Sequence, residues 1–177
     1  ATHTQKVNRR SVMVNDVRRA YFYAKIQRDV YIELPQEDEM HGKMLGKLKL
    51  CLYGTRDAAL NWSRAYCDVL TGLGFEKGGS SPCSFLHKGW GIRTVVHGDD
   101  FVSEGSGANL SRMDAAMRKS FSLKTEILGG DHGDVKRIKV LNRQTSFGNR
   151  SITWEADPRH VEILAAQLGR IITISTT

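Results

Sequence analysis

The amino-acid sequence predicts an α+β domain with helices packed on one face of a sheet, and three observations lead to this class. Segments with alternating or β-branched apolar residues, typical of strands, outnumber segments with helical spacing. The two kinds of segment are mixed along the chain, as in α+β proteins. The length of 177 residues suits one domain with a sizeable core, so residues 1–177 are expected to form a single domain.

Eight segments have the residue pattern of strands. They are 11–15, 29–34, 46–52, 83–87, 91–96, 101–103, 136–142 and 151–155. The fifth and sixth of these predict a β-hairpin, because only the short connection from His97 to Asp100 separates them. Gly98 next to an aspartate is common turn chemistry and supports this prediction.

Three segments have apolar residues at helical spacing, with start and stop signals at their ends. They are 56–71 with Thr55 as cap and Gly72 as stop, 108–121, and Pro158 to Gly169 with Asp157 as cap. The methionines of the second segment are expected to fill the core and not to form a binding surface.

Composition excludes several classes of protein. No apolar run approaches the roughly twenty residues of a membrane span, and the polar start lacks a signal sequence, so we expect an intracellular protein with no membrane partner. Cys51, Cys67 and Cys83 lack metal-ligand spacing and are expected to be reduced and mostly packed. The missing initiator Met suggests a piece of a longer polypeptide.

The charge balance points to a possible polyanionic partner. The chain has 26 Lys and Arg against 19 Asp and Glu, a net charge of +7. Nucleic acid is the commonest partner of such a surface, although a basic surface without any such partner explains the charge equally well.

Two places in the sequence concentrate acids at the ends of apolar strands. Asp99 and Asp100 lie in the predicted hairpin, and Asp16 follows the predicted strand 11–15. A solvated turn is the simplest explanation of an isolated Gly-Asp-Asp. If folding brings all three carboxylates together, however, divalent cations would have to offset their repulsion. Spacing alone does not show that they meet.

Five blocks of the sequence occur in the order found in the reverse transcriptases of copia-like LTR retrotransposons, which the chain resembles from about residue 11 to 169. The blocks are NDVRRAYFYAKIQRDVYIELP, LYGTRDAALNW, LGFEKGGSSPCSF, TVVHGDDFVS and KVLNR. The family pattern of the first block is D-V-x-x-A-F/Y, which Asp16 matches. The family motif Y-x-D-D is matched in its two acids by Asp99 and Asp100. The resemblance therefore implies part of a Pol polyprotein.

The resemblance implies a fold, a reaction and a metal site. The fold would be a polymerase palm, an antiparallel sheet with helices on one face. Asp16, Asp99 and Asp100, with the carbonyl of Val17, would hold two Mg²⁺ ions, or Mn²⁺ in their place. The reaction would be two-metal transfer of a nucleotide from a dNTP to a primer 3′-OH on an RNA or DNA template.

The resemblance also implies a nucleotide site in the turn after Asp16. The backbone N–H groups of Arg19 and Ala20 would hold triphosphate oxygens. Tyr21 would lie under the sugar and exclude a ribose 2′-OH. The alternative for Tyr21 is an ordinary core aromatic, since three successive aromatic residues cannot all face the same way.

The sequence departs from the family pattern at three positions. His97 replaces the usual Tyr before Gly98 and the acid pair, and its ring can still stack and form hydrogen bonds. Asp57 stands where the family has a Gln that contacts the nucleotide, and Ala59 stands where it has Pro. An acid facing a triphosphate is unfavourable unless Arg56 compensates, so we expect Asp57 to cap the following helix instead.

Two further departures concern the ends of the chain. Only fifteen residues precede Asp16, so the basic fingers region is expected to be mostly missing, and an RNase H segment is likewise expected to be missing. Since positioning supplies much of the rate enhancement, this fragment alone is expected to be feeble or inactive. A non-catalytic basic module that binds nucleic acid, an interaction scaffold with the same fold, and a small metal-dependent hydrolase remain as alternatives.

Overall fold

The structure is a computed structural model that describes residues 10–148, 151–156 and 158–167. The strands are β1 (Arg10–Val17), β2 (Tyr31–Glu33), β3 (Leu45–Lys47), β4 (Glu76–Lys77), β5 (Ser84–His87), β6 (Ile92–His97), β7 (Asp100–Ser106), β8 (Leu123–Leu128), β9 (Arg137–Val140), β10 (Arg143–Phe147) and β11 (Ile152–Ala156). The helices are α1 (Ala58–Gly72), α2 (Gly107–Met117) and α3 (Pro158–Gln167), and a 3₁₀ turn spans Ala20–Tyr23.

Six of the strands form an antiparallel sheet in the order β4-β5-β6-β7-β1-β8. Strand β1 lies between β7 and β8, and its side chains alternate between the two faces of the sheet. Met13, Asn15 and Val17 are fully buried on one face, whereas Asp16 is partly exposed on the other. The alternation therefore separates the acid from the main core.

Helices α1 and α2 cover the face of the sheet onto which Met13 and Val17 project. Their buried side chains form one apolar cluster with side chains of β1, β5, β6 and β7. The helical members are Ala58, Trp62, Tyr66, Leu70, Leu110, Met113 and Met117. An antiparallel sheet with helices on one face confirms the predicted α+β class and the predicted core role of the methionines.

A smaller apolar cluster forms on the opposite face of the sheet. It joins Val14 and Leu128 to Ile138 and Val140 of β9. Strand β9 belongs to a second, three-stranded antiparallel sheet in the order β11-β10-β9. This small sheet covers only part of the outer face, and the hairpin β9–β10 brings its turn close to the end of β1 that carries Asp16.

The predicted helices are present with shifted ends. The helix predicted over 56–71 is α1, and the helix predicted over 108–121 ends at Met117, although Phe121 still packs in the core. The prediction that Thr55 caps α1 is wrong, because the helix begins at Ala58 and Asp57 takes the N-cap position. The Thr55 hydroxyl instead donates to the carbonyl of Leu52 at 2.7 Å. The predicted cap and stop of the third helix lie outside the described residues. None of the described helices is long and apolar enough to cross a membrane.

The predicted strands are present, although the one predicted over 46–52 ends at Lys47, and three strands were not predicted. The predicted hairpin β6–β7 is present, but its turn is shorter than the predicted connection from His97 to Asp100. Only Gly98 and Asp99 form the turn, because His97 and Asp100 pair as the last residues of the two strands. The strand predicted over 136–142 ends at Val140, because the chain reverses there and returns as β10. Strands β4 and β8 were also missed, and β8 matters because it is the second neighbour of β1.

The turn of the β9–β10 hairpin gives a prediction about stability. Leu141 and Asn142 have φ angles of +47° and +61°, a left-handed conformation that Asn tolerates and Leu does not. Leu141 is exposed, so little apolar burial offsets its strain. We expect Leu141→Asn to raise the free energy of unfolding by about 1 kcal/mol, measured by urea denaturation. Asn142→Ala should lower the free energy of unfolding. A lower free energy of unfolding for Leu141→Asn than for wild type would contradict the strain assigned to this turn.

Candidate functional site

Four polar side chains form a row across the outer face of the sheet. In the observed strand register, His97 of β6 lies directly opposite Asp100 of β7. Asp100 in turn lies opposite Asp16 of β1, and Asp16 lies opposite Lys124 of β8. Cβ atoms of directly paired residues lie about 4.5–5.5 Å apart, so the two carboxylates are immediate neighbours. The strand order thus brings together two acids that are 84 residues apart in sequence.

The turn between β6 and β7 holds the third acid, Asp99, which is exposed. Gly98 has φ +64°, a conformation that glycine adopts without strain. The carbonyl of Gly98 accepts a hydrogen bond from Trp62 Nε1 at 2.8 Å, and the carbonyl of Asp99 accepts one from the Val17 backbone N–H at 3.0 Å. The acid turn is therefore tied both to helix α1 and to the end of β1.

The chain turns sharply after β1, where the resemblance implied a triphosphate site. The Arg18 N–H donates to the Ser122 carbonyl at 2.9 Å, and Arg19 has φ +56°, an unusual angle for a residue other than glycine. Ala20 then begins the 3₁₀ turn. Tyr21 is partly exposed, and its ring lies edge-to-face with that of Tyr53 at a centroid distance of 4.4 Å.

Tyr53 is a residue of this region that the sequence analysis missed. Its side chain is exposed and contacts the rings of both Tyr21 and Phe22. The pKa of Tyr53 is raised by burial of part of the phenol and by the charges of Asp99 and Asp16, while a hydrogen bond with the Ala20 backbone acts in the opposite direction. The phenol therefore lies within electrostatic reach of the acids and stays protonated.

Asp57 takes the N-cap position of α1, but its side chain makes no capping hydrogen bond. The prediction of a cap bond is therefore wrong. Its carboxylate instead accepts hydrogen bonds from Arg28 Nε and Asn61 Nδ2, each at 3.2 Å. The compensating cation is Arg28 and not Arg56. Although burial acts to raise the pKa of Asp57, its own backbone N–H and the charge of Arg28 lower it.

An open cavity of about 590 Å³ lies over the row of polar residues. Its lining joins the main sheet to the turn of the small sheet and carries charges of both signs. The lining residues are Val14, Asp16, His97, Asp100, Lys124, Glu126, Lys139, Leu141 and Asn142. Asp57 and Tyr21 do not line it. The cavity is large enough for a small polar ligand, and its floor is the acid pair.

The environment of Asp100 raises its pKa above the ordinary value of 3.8. Partial burial is the largest cause, and the negative charges of Asp99 and Asp16 add to it, whereas His97 acts in the opposite direction. The folded chain therefore disfavours the ionised form of Asp100 in the absence of a cation.

This raised pKa predicts how stability depends on pH. The folded chain holds the Asp100 proton to a higher pH than the unfolded chain does, so the free energy of unfolding falls as pH rises through the window just above about 3.8. We expect wild type to lose more stability than Asp100→Asn between about pH 4 and pH 7, in urea denaturation at a series of pH values. If the free energy of unfolding changed with pH in the same way for both proteins, the raised pKa of Asp100 would be contradicted.

The donor set fits a divalent cation that is only partly held by protein. Among the described residues, no group of three or more His, Cys, Asp or Glu side chains is arranged to hold a metal ion. Asp16 and Asp100 supply two adjacent carboxylates, with Asp99 next in the chain. Mg²⁺ in nucleotide-processing sites typically uses one or two carboxylates and takes its remaining ligands from water and substrate phosphates. The predicted site with two metal ions and the Val17 carbonyl stays a prediction.

The structure places the predicted residues in two neighbouring groups. Asp16, Asp100 and His97 line the cavity, and Gly98 and Asp99 form its adjoining turn. Arg19, Ala20 and Tyr21 follow Val17 in the turn beyond β1. Lys124 was missed together with β8, although the alternation in LKTEIL was a signal for both.

Comparison with curated proteins finds a distant similarity. The chain is similar to the retrovirus-related Pol polyprotein from transposon TNT 1-94 of Nicotiana tabacum, with 25% identity over 156 residues. The aligned region covers 83% of this chain and 11% of that polyprotein, so the chain spans about a tenth of its length. No protein-family model matches the chain. The similarity supports an origin related to retrotransposon Pol polyproteins.

Proposed function

We propose that the chain is the palm region of a reverse transcriptase, an RNA-directed DNA polymerase from a copia-like retrotransposon. One observation carries the proposal: register pairs Asp16 with Asp100 on the open face of the sheet, next to the turn that holds Asp99. The distant similarity to a Pol polyprotein agrees with this proposal. The substrates would be a dNTP and a primer on an RNA or DNA template.

In the proposed reaction the primer 3′-hydroxyl attacks the α-phosphorus of the dNTP, and pyrophosphate leaves. Asp16, Asp99 and Asp100 would bind Mg²⁺ or Mn²⁺, which when bound offsets the negative charge on the attacking and leaving oxygens. Lys124 lies beside Asp16 and adds positive charge at the edge of the acid pair. His97, paired with Asp100, lies on the same side of the sheet and can donate a hydrogen bond to a phosphate oxygen.

The turn after β1 is proposed to bind the nucleotide. The N–H groups of Arg19 and Ala20 would contact triphosphate oxygens, and the Arg19 guanidinium is exposed next to them. Tyr21 would exclude a ribose 2′-OH by contact with the sugar. Its ring packs against Tyr53, so its position does not depend on the substrate. Asp57 is not part of this proposal, because Arg28 and Asn61 engage its carboxylate.

Primer extension tests the proposal. Because this fragment is expected to be feeble, wild type with Mg²⁺ or Mn²⁺ on a primed RNA template should incorporate dNTPs slowly, in long incubations, and Asp16→Asn should incorporate none. Glu104→Gln is the matched control, since Glu104 is a carboxylate on the same face of β7 that pairs with Arg10 and Arg93. Incorporation that persists in Asp16→Asn, or is lost equally in Glu104→Gln, would overturn the proposal.

A non-catalytic nucleic-acid-binding module is the second candidate. The observation that favours it is the net charge of +7, which suits a polyanionic partner whether or not the acids bind metal. This candidate requires primer–template binding by wild type and by the double variant Asp16→Asn with Asp99→Asn, with no incorporation by either. A steep dependence of binding on salt would show that Lys and Arg contact phosphates.

A further inference from the structure

A polar cluster that runs from a buried asparagine to the surface lies behind Asp16, on the helix-covered face of the sheet. Asn15 is fully buried, and its Nδ2 donates to Asp114 Oδ1 at 3.0 Å and to Thr125 Oγ1 at 2.8 Å. The Thr125 hydroxyl donates to Asp114 at 2.6 Å. Arg118 donates to Asp114, Thr125 and the Leu123 carbonyl at 2.7, 2.7 and 2.9 Å. The cluster joins β1, α2 and β8 at the residue next to Asp16.

Stability alone does not explain an asparagine at this position. Its Oδ1 is buried and has no hydrogen-bond partner, which is unfavourable relative to an apolar side chain. The neighbours of Asn15 on the same face of β1, Met13 and Val17, are apolar and fully buried. An apolar residue at 15 would continue their pattern.

The apolar pattern of β1 leaves its register open to a shift by two residues. Such a shift keeps every side chain on its original face, so burial alone discriminates weakly against it. It would move Asp16 from opposite Asp100 to opposite Gly98 or Val102. The acid pair would then be lost although the sheet remained.

The hydrogen bonds of Asn15 distinguish the two registers. In the observed register Asn15 is the direct partner of Thr125 on β8. A shift by two residues would place it opposite Leu123 or Ile127, neither of which offers a side-chain acceptor. The amide would then be buried without its two hydrogen bonds, which strongly disfavours the shifted register.

We propose that Asn15 is a positioning residue: through Asp114, Thr125 and Arg118 it sets the register of β1 and thereby holds Asp16 opposite Asp100. This inference deepens the proposed function and rests on it for the purpose of the acid pair. The register itself can be measured without metal or nucleotide, so the two proposals can fail separately.

The register of β1 against β7 can be measured from the disulfide yield of engineered cysteine pairs, in a Cys83→Ser background. Val14→Cys with Val102→Cys reports the observed register. Val12→Cys with Val102→Cys, and Val14→Cys with Glu104→Cys, report the two shifted registers. Adding Asn15→Leu, which keeps the number of side-chain heavy atoms, should lower the disulfide yield of the first pair several-fold and raise that of a shifted pair. An unchanged pattern in the folded variant would overturn the proposal.

Metal affinity supplies the second readout, with Mn²⁺ as the probe. Asn15→Leu and Thr125→Val should each weaken Mn²⁺ binding roughly tenfold or more while circular dichroism shows a folded chain. The matched control is Thr94→Val with Ser103→Ala, which removes a buried hydrogen bond of 2.9 Å between β6 and β7 on the same face, and should leave affinity unchanged. Equal losses in the control, or failure of both cluster variants to fold, would overturn a positioning role.

The two proposals separate in the outcome for wild type. A wild-type chain that shows the observed register but binds no Mn²⁺ would overturn the proposed function and leave the register assignment standing. A wild-type chain that binds Mn²⁺, with Asn15→Leu binding it equally well, would overturn the positioning role of Asn15 and leave the proposed function standing.

Discussion

Asp100→Asn is expected to abolish nucleotide incorporation and, in the absence of metal, to make the fold more stable at neutral pH. Asp100 faces Asp16 directly and follows Asp99, and its pKa is raised by burial and by both charges. Removing one charge from a facing pair relieves repulsion worth about 0.5–1 kcal/mol. Incorporation should fall about 10³-fold or more, because the charge that would bind the cation is lost.

Opposite changes in stability and activity are the signature of a binding site maintained at a cost to the fold. Asp16→Asn should lose incorporation equally but gain less stability, because Asp16 also faces Lys124 and would lose that attraction. Urea denaturation without metal and primer extension with Mn²⁺ measure the two effects. A loss of stability in Asp100→Asn would show that the carboxylate serves the fold, which would contradict its assignment to a cation site.

Sequence reasoning succeeded where a feature depends on neighbouring residues. The β6–β7 hairpin follows from two apolar runs around a Gly-Asp turn, and the observed turn at Gly98 and Asp99 lies within the predicted connection from His97 to Asp100. Helix α1 follows from apolar spacing. The meeting of Asp16 with Asp100 has a different basis, since it depends on a strand order that no local pattern specifies. The resemblance to reverse transcriptases supplied that expectation.

The failures have physical causes as well. Strand β8 carries Lys124 and Glu126, residue types of low strand propensity, and the polar Thr125 stands between Leu123 and Ile127 on the side that faces the core, which weakens the apolar pattern. Missing this strand also concealed Lys124 beside the acid pair. Asp57 was assigned a capping bond from its position alone, but Arg28, 29 residues away, engages its carboxylate. A long-range ion pair overrode the local preference.

Trp62 links the stability of the core to the geometry of the acid turn, so its replacement should have the largest effect on stability. The side chain is 2% exposed and contacts the rings of Tyr66, Phe101 and Phe121, with the nearest centroid at 5.2 Å. Trp62→Ala should lower the free energy of unfolding by about 3–5 kcal/mol, because it removes a large ring from a packed interior. Chemical denaturation measures this loss.

Trp62→Phe separates packing from the contact with the turn. Phenylalanine keeps an aromatic ring in the core but lacks the N–H that donates to the Gly98 carbonyl at 2.8 Å. We expect a stability loss of about 1–2 kcal/mol and a fall in incorporation of roughly tenfold to a hundredfold, since a small displacement of Asp99 and Asp100 misplaces the charges of the site.

Tyr66→Phe is the matched control for Trp62→Phe. Tyr66 belongs to the same aromatic cluster, but its hydroxyl bonds to Ser63 within α1 and does not reach the turn. It should lose a little stability and keep its incorporation rate. Equal activity in Trp62→Phe and wild type would mean that the Val17–Asp99 hydrogen bond alone holds the turn. Loss of activity beyond the loss of folded protein would instead show that an indole in the core helps to place the acids on the opposite face of the sheet.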